Sequence, residues 1–350
     1  MTSTKQRTIL ITGASGFLGR HLIEELRGQE GVTLRALVRS PALYLEERGV
    51  EVVLGDVCNP EVCARAVEGA QQIYHVAGMV SRDAAHSASM YRLHVDGTRE
   101  LLRAAAAVGS VERIVVVSTS GTVAVSPLRD EISDEESPYR IETVARWPYY
   151  LSKIYQERTA FQLARELGLN VVVVNPSLLL GPGDERGSST GDVEKVVRGR
   201  LPVYPKGGGV AFVDARDAAA GCVLAMERGR SGERYLLSAA NMTLAVFLGR
   251  VARLAEVPAP RELGGAAVLK VTTRLVESCC GKLDFEPPVD IHSVAMAEPT
   301  RYVDSSKAEE KLGWQCRDPQ ETLAETVGDV QRRYHLGRFG DSRDKRELRL

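Results

Sequence analysis

Three evenly spaced glycines constrain this chain more than any other feature. They stand in Thr12-Gly13-Ala14-Ser15-Gly16-Phe17-Leu18-Gly19. An apolar run at 8–11 precedes them and an amphipathic stretch at 17–27 follows, which is the order strand, tight turn, helix. The first turn of a helix carries unpaired N–H groups and the positive end of a dipole, so it attracts phosphate. Glycine lets the backbone approach a pyrophosphate without a side-chain collision. The G-x-x-G-x-x-G spacing also occurs in ordinary strand-to-helix turns. Here the strand before it and the helix after it select dinucleotide binding, with Gly13, Ser15, Gly16, Phe17, Leu18 and Gly19 against the ligand.

The rest of the chain repeats that order. Apolar, β-branched runs fall at 8–11, 32–38, 50–54, 72–76, 113–118 and 170–174, with helical patterns at 17–27, 61–67, 93–108 and 149–167. Such alternation builds right-handed β-α-β units and a parallel sheet covered on both faces. The run Val171-Val172-Val173-Val174 has the all-apolar character of a doubly buried strand. The expected class is α/β, a Rossmann-type doubly wound parallel sheet over residues 1–176. Beyond Pro176, Gly and Pro cluster at Gly181-Pro182-Gly183 and at 202–209. This marks a smaller C-terminal substrate-binding part, 177–335, interleaved with the sheet. The acidic stretch 130–136 reads as a solvated loop, and the charged residues 336–350 as a loosely ordered tail.

Composition excludes several other roles. With 45 basic and 46 acidic residues among 350, nothing draws the chain to nucleic acid or to an acidic membrane. No apolar run approaches the roughly 20 residues of a membrane span, and no apolar signal segment follows the polar residues 1–7. The six cysteines include no C-x-x-C pair and no histidine cluster accompanies them, so no metal site is expected. Adjacent Cys279 and Cys280 suit a disulfide poorly. Reduced thiols in a cytoplasmic protein is the expectation.

The ends of the strands carry the cofactor's other contacts. An acid after the second strand would favour NAD, and a cation there accommodates the 2′-phosphate of NADP. The residue there is Arg39, a planar two-pronged donor. NADP is therefore the expected ligand, with NAD the alternative. Asp56 after the third strand can accept from an adenine amino group, with the backbone of Val57 beside it. The small residues of Val76-Ala77-Gly78 leave room for the nicotinamide half.

One motif brings the chemistry. Tyr149 and Lys153 are four apart on a helix and share a face. A phenol ionises near pH 10 on its own, and a neighbouring ammonium draws that value down toward the range where general acid–base catalysis works. The fifth strand ends in Ser118-Thr119-Ser120-Gly121-Thr122, which places hydroxyls at the mouth of the ligand crevice.

Taken together, Thr12–Gly19, Gly55-Asp56-Val57, His75–Gly78, Gly97-Thr98, Ser118–Thr122, Tyr149–Lys153, Asn175-Pro176 and Gly181–Asp184 resemble the extended short-chain dehydrogenase/reductases, the NAD-dependent epimerase/dehydratase family. The dihydroflavonol 4-reductase-like branch is the most similar, and it includes 3β-hydroxysteroid-dehydrogenase-like proteins. The resemblance implies that Tyr149 is the proton donor or acceptor. It also implies that Lys153 binds the nicotinamide ribose and lowers the Tyr149 pKa, and that Thr119 orients the substrate. Asn175, Pro176 and Ser177 would lie beside the nicotinamide. His94 stands where the family often carries Asn, and reads as a structural residue rather than a base. A homodimer through the 93–108 and 149–167 helices is implied as well.

The expected activity is NAD(P)-dependent reduction of a small-molecule ketone to a secondary alcohol, or the reverse. The alternatives are a nucleotide-sugar epimerase or dehydratase with retained NAD, a 3β-hydroxysteroid dehydrogenase-like enzyme, and a non-catalytic NADP-sensing protein. The last commonly lacks the Tyr–Lys pair that is intact here. Met79, Val80, Ser81, Ser120, Thr122, Ser177, Leu178 and Tyr204 are the expected substrate wall. No cluster of Arg or Lys is evident in the sequence for a diphosphate, which favours an apolar ketone.

Overall fold

β-Branched residues fill the strands because their branched side chains pack well on a pleated surface. The computed structural model describes residues 7–264 and 295–334. Its central sheet has seven parallel strands: β1 (Arg7–Thr12), β2 (Val32–Val38), β3 (Glu51–Leu54), β4 (Ala70–His75), β5 (Arg113–Val117), β6 (Val171–Pro176) and β7 (Arg234–Leu237). The spatial order is β7-β6-β5-β4-β1-β2-β3. The order reverses between β1 and β4, and a crevice opens at such a switch point beyond the carboxyl ends of the strands.

Helices cover both faces. On one side, α1 (Phe17–Leu26) and α5 (Ala215–Arg228) pack on Ile9, Ile11, Val115, Val172 and Val174. On the other, α2 (Pro60–Val67), α3 (Gly97–Val108) and α4 (Pro148–Leu167) pack on Leu10, Ile114, Val116, Val171 and Val173. The two-residue period of a strand sends alternate side chains to opposite cores. The six strands expected from the sequence are present with shifts of one or two residues at their ends.

β7 is an addition to the strands expected from the sequence. Its four residues begin in Arg and follow a glycine turn, so no alternation announces it. The acidic stretch 130–136 also departs from expectation. Ile132–Ser133 pairs in parallel with Tyr302–Val303, Glu131 bonds Arg140, and the buried Glu135 accepts from the Leu236 backbone N–H at 2.8 Å. β7 is the sheet's edge, whose outward N–H groups need partners, and Glu135 satisfies one of them. Burial raises the Glu135 pKa above the ordinary carboxyl value.

Two residues after β6, a second layer begins. Strands Leu178–Leu180, Gly209–Asp214 and Ala240–Thr243 form a three-stranded sheet. With helices Gly191–Val197, Leu244–Leu254 and Pro319–Arg333 they enclose a separate core of Leu180, Val193, Phe212, Phe247, Leu323 and Val327. Among the described residues, Cys58, Cys63, Cys222 and Cys316 are free thiols. Burial pushes Cys63 and Cys222 up to about 12, so neither is a ready nucleophile. Also among the described residues, no acid, His and Cys cluster could hold a metal and no helix is long and apolar enough to cross a membrane. Cys279, Cys280 and the tail 336–350 lie outside the described residues.

Candidate active site

The glycine turn joins β1 to α1. Gly13 has φ +73°, and a Cβ there would stand 2.6 Å from the Ala77 nitrogen. A Cβ on Gly19 would collide with the Gly13 carbonyl. Both glycines are thus required by close packing of loop, helix and the edge of β4. Gly16 is the N-cap of α1, with no side-chain cap and no acid in the first turn, so the helix start keeps its donors and its positive end for a ligand.

A cavity of about 870 Å³ runs from this turn across the carboxyl ends of the strands into the second layer. Its walls include Gly13, Ser15, Gly16, Phe17, Leu18, Gly19, Arg39, Asp56, Val57, Val76, Ala77 and Gly78 at one end. Tyr149, Lys153, Thr119, Pro176 and Ser177 follow, then Met79, Ser81, Ser120, Leu178 and Tyr204. Arg39 is exposed and makes no hydrogen bond or ion pair among the described residues. Asp56 receives the Cys58 N–H at 3.0 Å and pairs with Arg92.

Thr122, expected on the substrate wall, and Asn175, expected beside the nicotinamide, do not line the cavity. Thr122 is fully buried, where its hydroxyl donates to the Thr119 carbonyl at 3.0 Å. Asn175 is fully buried too, with its Nδ2 within bonding distance of the Thr119 carbonyl, Thr122 Oγ1 and Glu157 Oε1. Both side chains face inward beneath the strand ends, so they hold Thr119 in place and do not meet the cavity. The Ser177 hydroxyl is buried and has no hydrogen-bond partner among the described residues. An orphaned hydroxyl on the wall, an uncapped helix start and a glycine cradle are what a dinucleotide would use, and the residues present fit one.

The acid–base pair sits on α4. Pro148 occupies the first helical turn, where its missing N–H costs nothing. This helix buries Ser152, Lys153, Gln156 and Glu157 along with Ile154, Ala160 and Leu163. The Lys153 ammonium donates to the Val117 carbonyl at 3.0 Å and to Gln156 Oε1 at 2.8 Å. Burial brings the Lys153 pKa down to about 7, while the nearby Glu157 pulls it up. The Tyr149 phenol is raised above its ordinary value, first by burial and then by Tyr150, against the lowering effect of a hydrogen bond with Thr119. Lys153 does not lower the phenol as expected, because at about 7 the lysine has lost its proton before the phenol titrates.

Sequence reasoning missed the polar groups behind this pair. Glu157 is completely buried and accepts from the Ser118 hydroxyl at 2.5 Å, from Tyr139 at 3.1 Å and from Asn175, with Arg234 of β7 at 3.5 Å. A buried carboxyl group needs such partners. Thr12, His75, Thr98 and Gln156 form a second buried chain that ends on Lys153. Only the strict spacing of Glu157, four residues past Lys153, could have hinted at it.

Cations also converge where the sequence showed no cluster. Arg82, Arg186, Lys195 and Arg301 all line the cavity, as do Glu185 and Asp192. Arg82 and Lys195 both pair with Asp192. Asp192 and Lys195 share the helix Gly191–Val197, while Arg82, Glu185, Arg186 and Arg301 come from other parts of the chain, so only folding brings the group together.

The comparisons agree with this architecture. The family model described as NAD dependent epimerase/dehydratase family matches residues 9–238. Sterol demethylase protein B of Methylococcus capsulatus is 30% identical over 335 residues, 91% of this chain and 97% of that protein. Dihydroflavonol 4-reductase of Zea mays is 28% identical over 262 residues, 69% and 72% of the two. The crystal structure of gox2253 superposes with a TM-score of 0.80 at 29% identity and covers 94% of this chain and 98% of that one. This chain belongs to the NAD dependent epimerase/dehydratase family. It is an NAD(P)-dependent oxidoreductase.

Proposed function

We propose that this enzyme reduces a ketone with NADPH, or oxidises the matching secondary alcohol with NADP. One observation carries the reading: Tyr149, Thr119 and Lys153 share a wall with the glycine cradle and Arg39. A bound nicotinamide dinucleotide supplies or takes up the hydride. Thr119 and Tyr149 hold the carbonyl oxygen between two hydroxyls, and Tyr149 gives it the proton. Lys153 binds the ribose and lends positive charge. Thr119 is fixed by Asn175 and Thr122, so its hydroxyl is pre-positioned for the substrate. The apolar wall of Met79, Leu178, Tyr204 and Phe247 suits an organic ketone.

Steady-state rates with NADPH and NADH test the cofactor half. Arg39→Ala raises the NADPH KM about tenfold and leaves the NADH KM unchanged, the loss expected for one charge-assisted contact. Equal effects on both cofactors overturn the preference for NADP.

A second reading, a nucleotide-sugar epimerase or dehydratase with retained NAD, is favoured by Arg82, Arg186, Lys195 and Arg301 on the wall. Stoichiometric NAD released on denaturing the purified protein supports that reading, and protein free of nucleotide supports the reductase.

A further inference from the structure

His94 lies in a short π-helical turn, Arg92–Asp96, directly before α3. Such turns are rare and often mark functional positions. The ring is fully buried, and both of its nitrogens are engaged. The backbone N–H of Met79 donates to Nε2 at 3.1 Å. Because an N–H can only donate, Nε2 is the acceptor and the ring proton sits on Nδ1. Nδ1–H then points to Ser152 Oγ at 2.8 Å, and the Ser152 hydroxyl donates to the Tyr149 carbonyl at 2.8 Å. The ring edge also packs on the Tyr149 ring, with centroids 6.0 Å apart. A Cβ on Gly78 would stand 3.4 Å from His94 Nε2 and 3.5 Å from Lys153 Nζ. The imidazole and the ammonium therefore meet at the same point of the loop after β4.

We propose that His94 is a positioning residue that couples the Gly78–Met79 loop to the helix carrying Tyr149, through the chain Met79 N–H to His94 to Ser152 to the Tyr149 carbonyl. The inference rests on the reading of Tyr149 as the proton donor. One ring fixes the cofactor-side loop with its acceptor and the first turn of α4 with its donor. Loss of the ring releases both walls at once, whereas loss of the Ser152 hydroxyl releases only the helix. Asn at this position offers one acceptor and one donor on a single side chain, so it can rebuild the bridge.

The test uses the full-length protein as four variants: His94→Ala, His94→Asn, Ser152→Ala and the His94→Ala/Ser152→Ala double. NADPH affinity is read by nucleotide fluorescence, and kcat and KM with a reducible ketone. His94→Ala lowers kcat about a hundredfold, the scale of a misplaced reacting group, and weakens NADPH binding about threefold or more. Ser152→Ala lowers kcat similarly with NADPH affinity unchanged. The double variant is no slower than His94→Ala, as members of one chain should behave. His94→Asn returns most of kcat with the ketone KM near wild type. Unchanged kcat in His94→Ala, additive losses in the double, or an Asn variant as slow as Ala overturns the proposal. If His94→Ala does not fold, the other two single variants decide. A slow Ser152→Ala beside a nearly wild-type His94→Asn supports the bridge, and wild-type kcat in Ser152→Ala overturns it. A wild-type protein that turns over no ketone removes the reductase reading instead. The coupling is then judged by NADPH affinity alone, and His94→Ala within twofold of wild type overturns it.

Discussion

Lys153 shows how burial and chemistry meet in one side chain. In an unfolded chain it holds its proton up to about 10.5, and in the folded protein it releases it near 7. Between those values the unfolded state binds more protons, so the lysine makes stability rise with pH. Below pH 7 both states are protonated and the full desolvation penalty remains. Calorimetry of Lys153→Met and wild type should therefore show the Tm difference, variant minus wild type, falling by a few degrees from pH 7 to pH 10. A difference that grows with pH would contradict the depressed pKa. At this scale Tyr149 and Lys153 are legible because their four-residue spacing falls on a helix after the fifth strand, and Thr119 because that strand ends in hydroxyls in the register the family resemblance implies. Glu157, Gln156 and Ser152 are not, because polar residues on a helix read as solvated surface. Here they are a buried polar layer between α4 and the sheet. Thr122 and Asn175 flank residues that line the cavity, but the helical turn Ser120–Thr122 and the strand Val171–Pro176 turn their side chains inward to the Thr119 carbonyl.

Among the elements, the turn between β1 and α1 is the most constrained. Its packing leaves no space for a side chain on Gly19, so Gly19→Val should cost about 1–3 kcal/mol of stability and abolish NADPH binding, measured by urea unfolding and by nucleotide fluorescence. Binding at wild-type affinity would show that the turn does not form the cofactor seat. Strands with β-branched runs are readable from period and composition. β7 is not, since four residues with a leading Arg carry no period; its place is set by Val173–Pro176 on one side and Glu135 on the other. The same edge explains why an acidic stretch that reads as solvent-exposed contributes a buried carboxyl group.

For the whole molecule, the sheet is closed by chain that follows the second layer's first strands. β6 is buried at every residue, and its outer neighbour β7 and covering helix α5 both come after residue 177. A fragment of residues 1–176 leaves β6 bare on one edge and one face, and we expect it not to fold cooperatively, as monitored by circular dichroism during heating. A sharp transition at the full-length Tm would make 1–176 a self-standing domain. What the sequence could not convey at this scale is convergence. Arg82, far away in the sequence, reaches the helix that carries Asp192 and Lys195 only through the fold.

The central claim is that Tyr149 moves the proton while the bound dinucleotide moves the hydride. NADPH oxidation by Tyr149→Phe, with a ketone that the wild type reduces, tests it most directly. The variant keeps the ring and its packing and loses only the hydroxyl. The expected kcat is lower by about two to four orders of magnitude, with NADPH affinity unchanged. Turnover within a few-fold of wild type would contradict the claim.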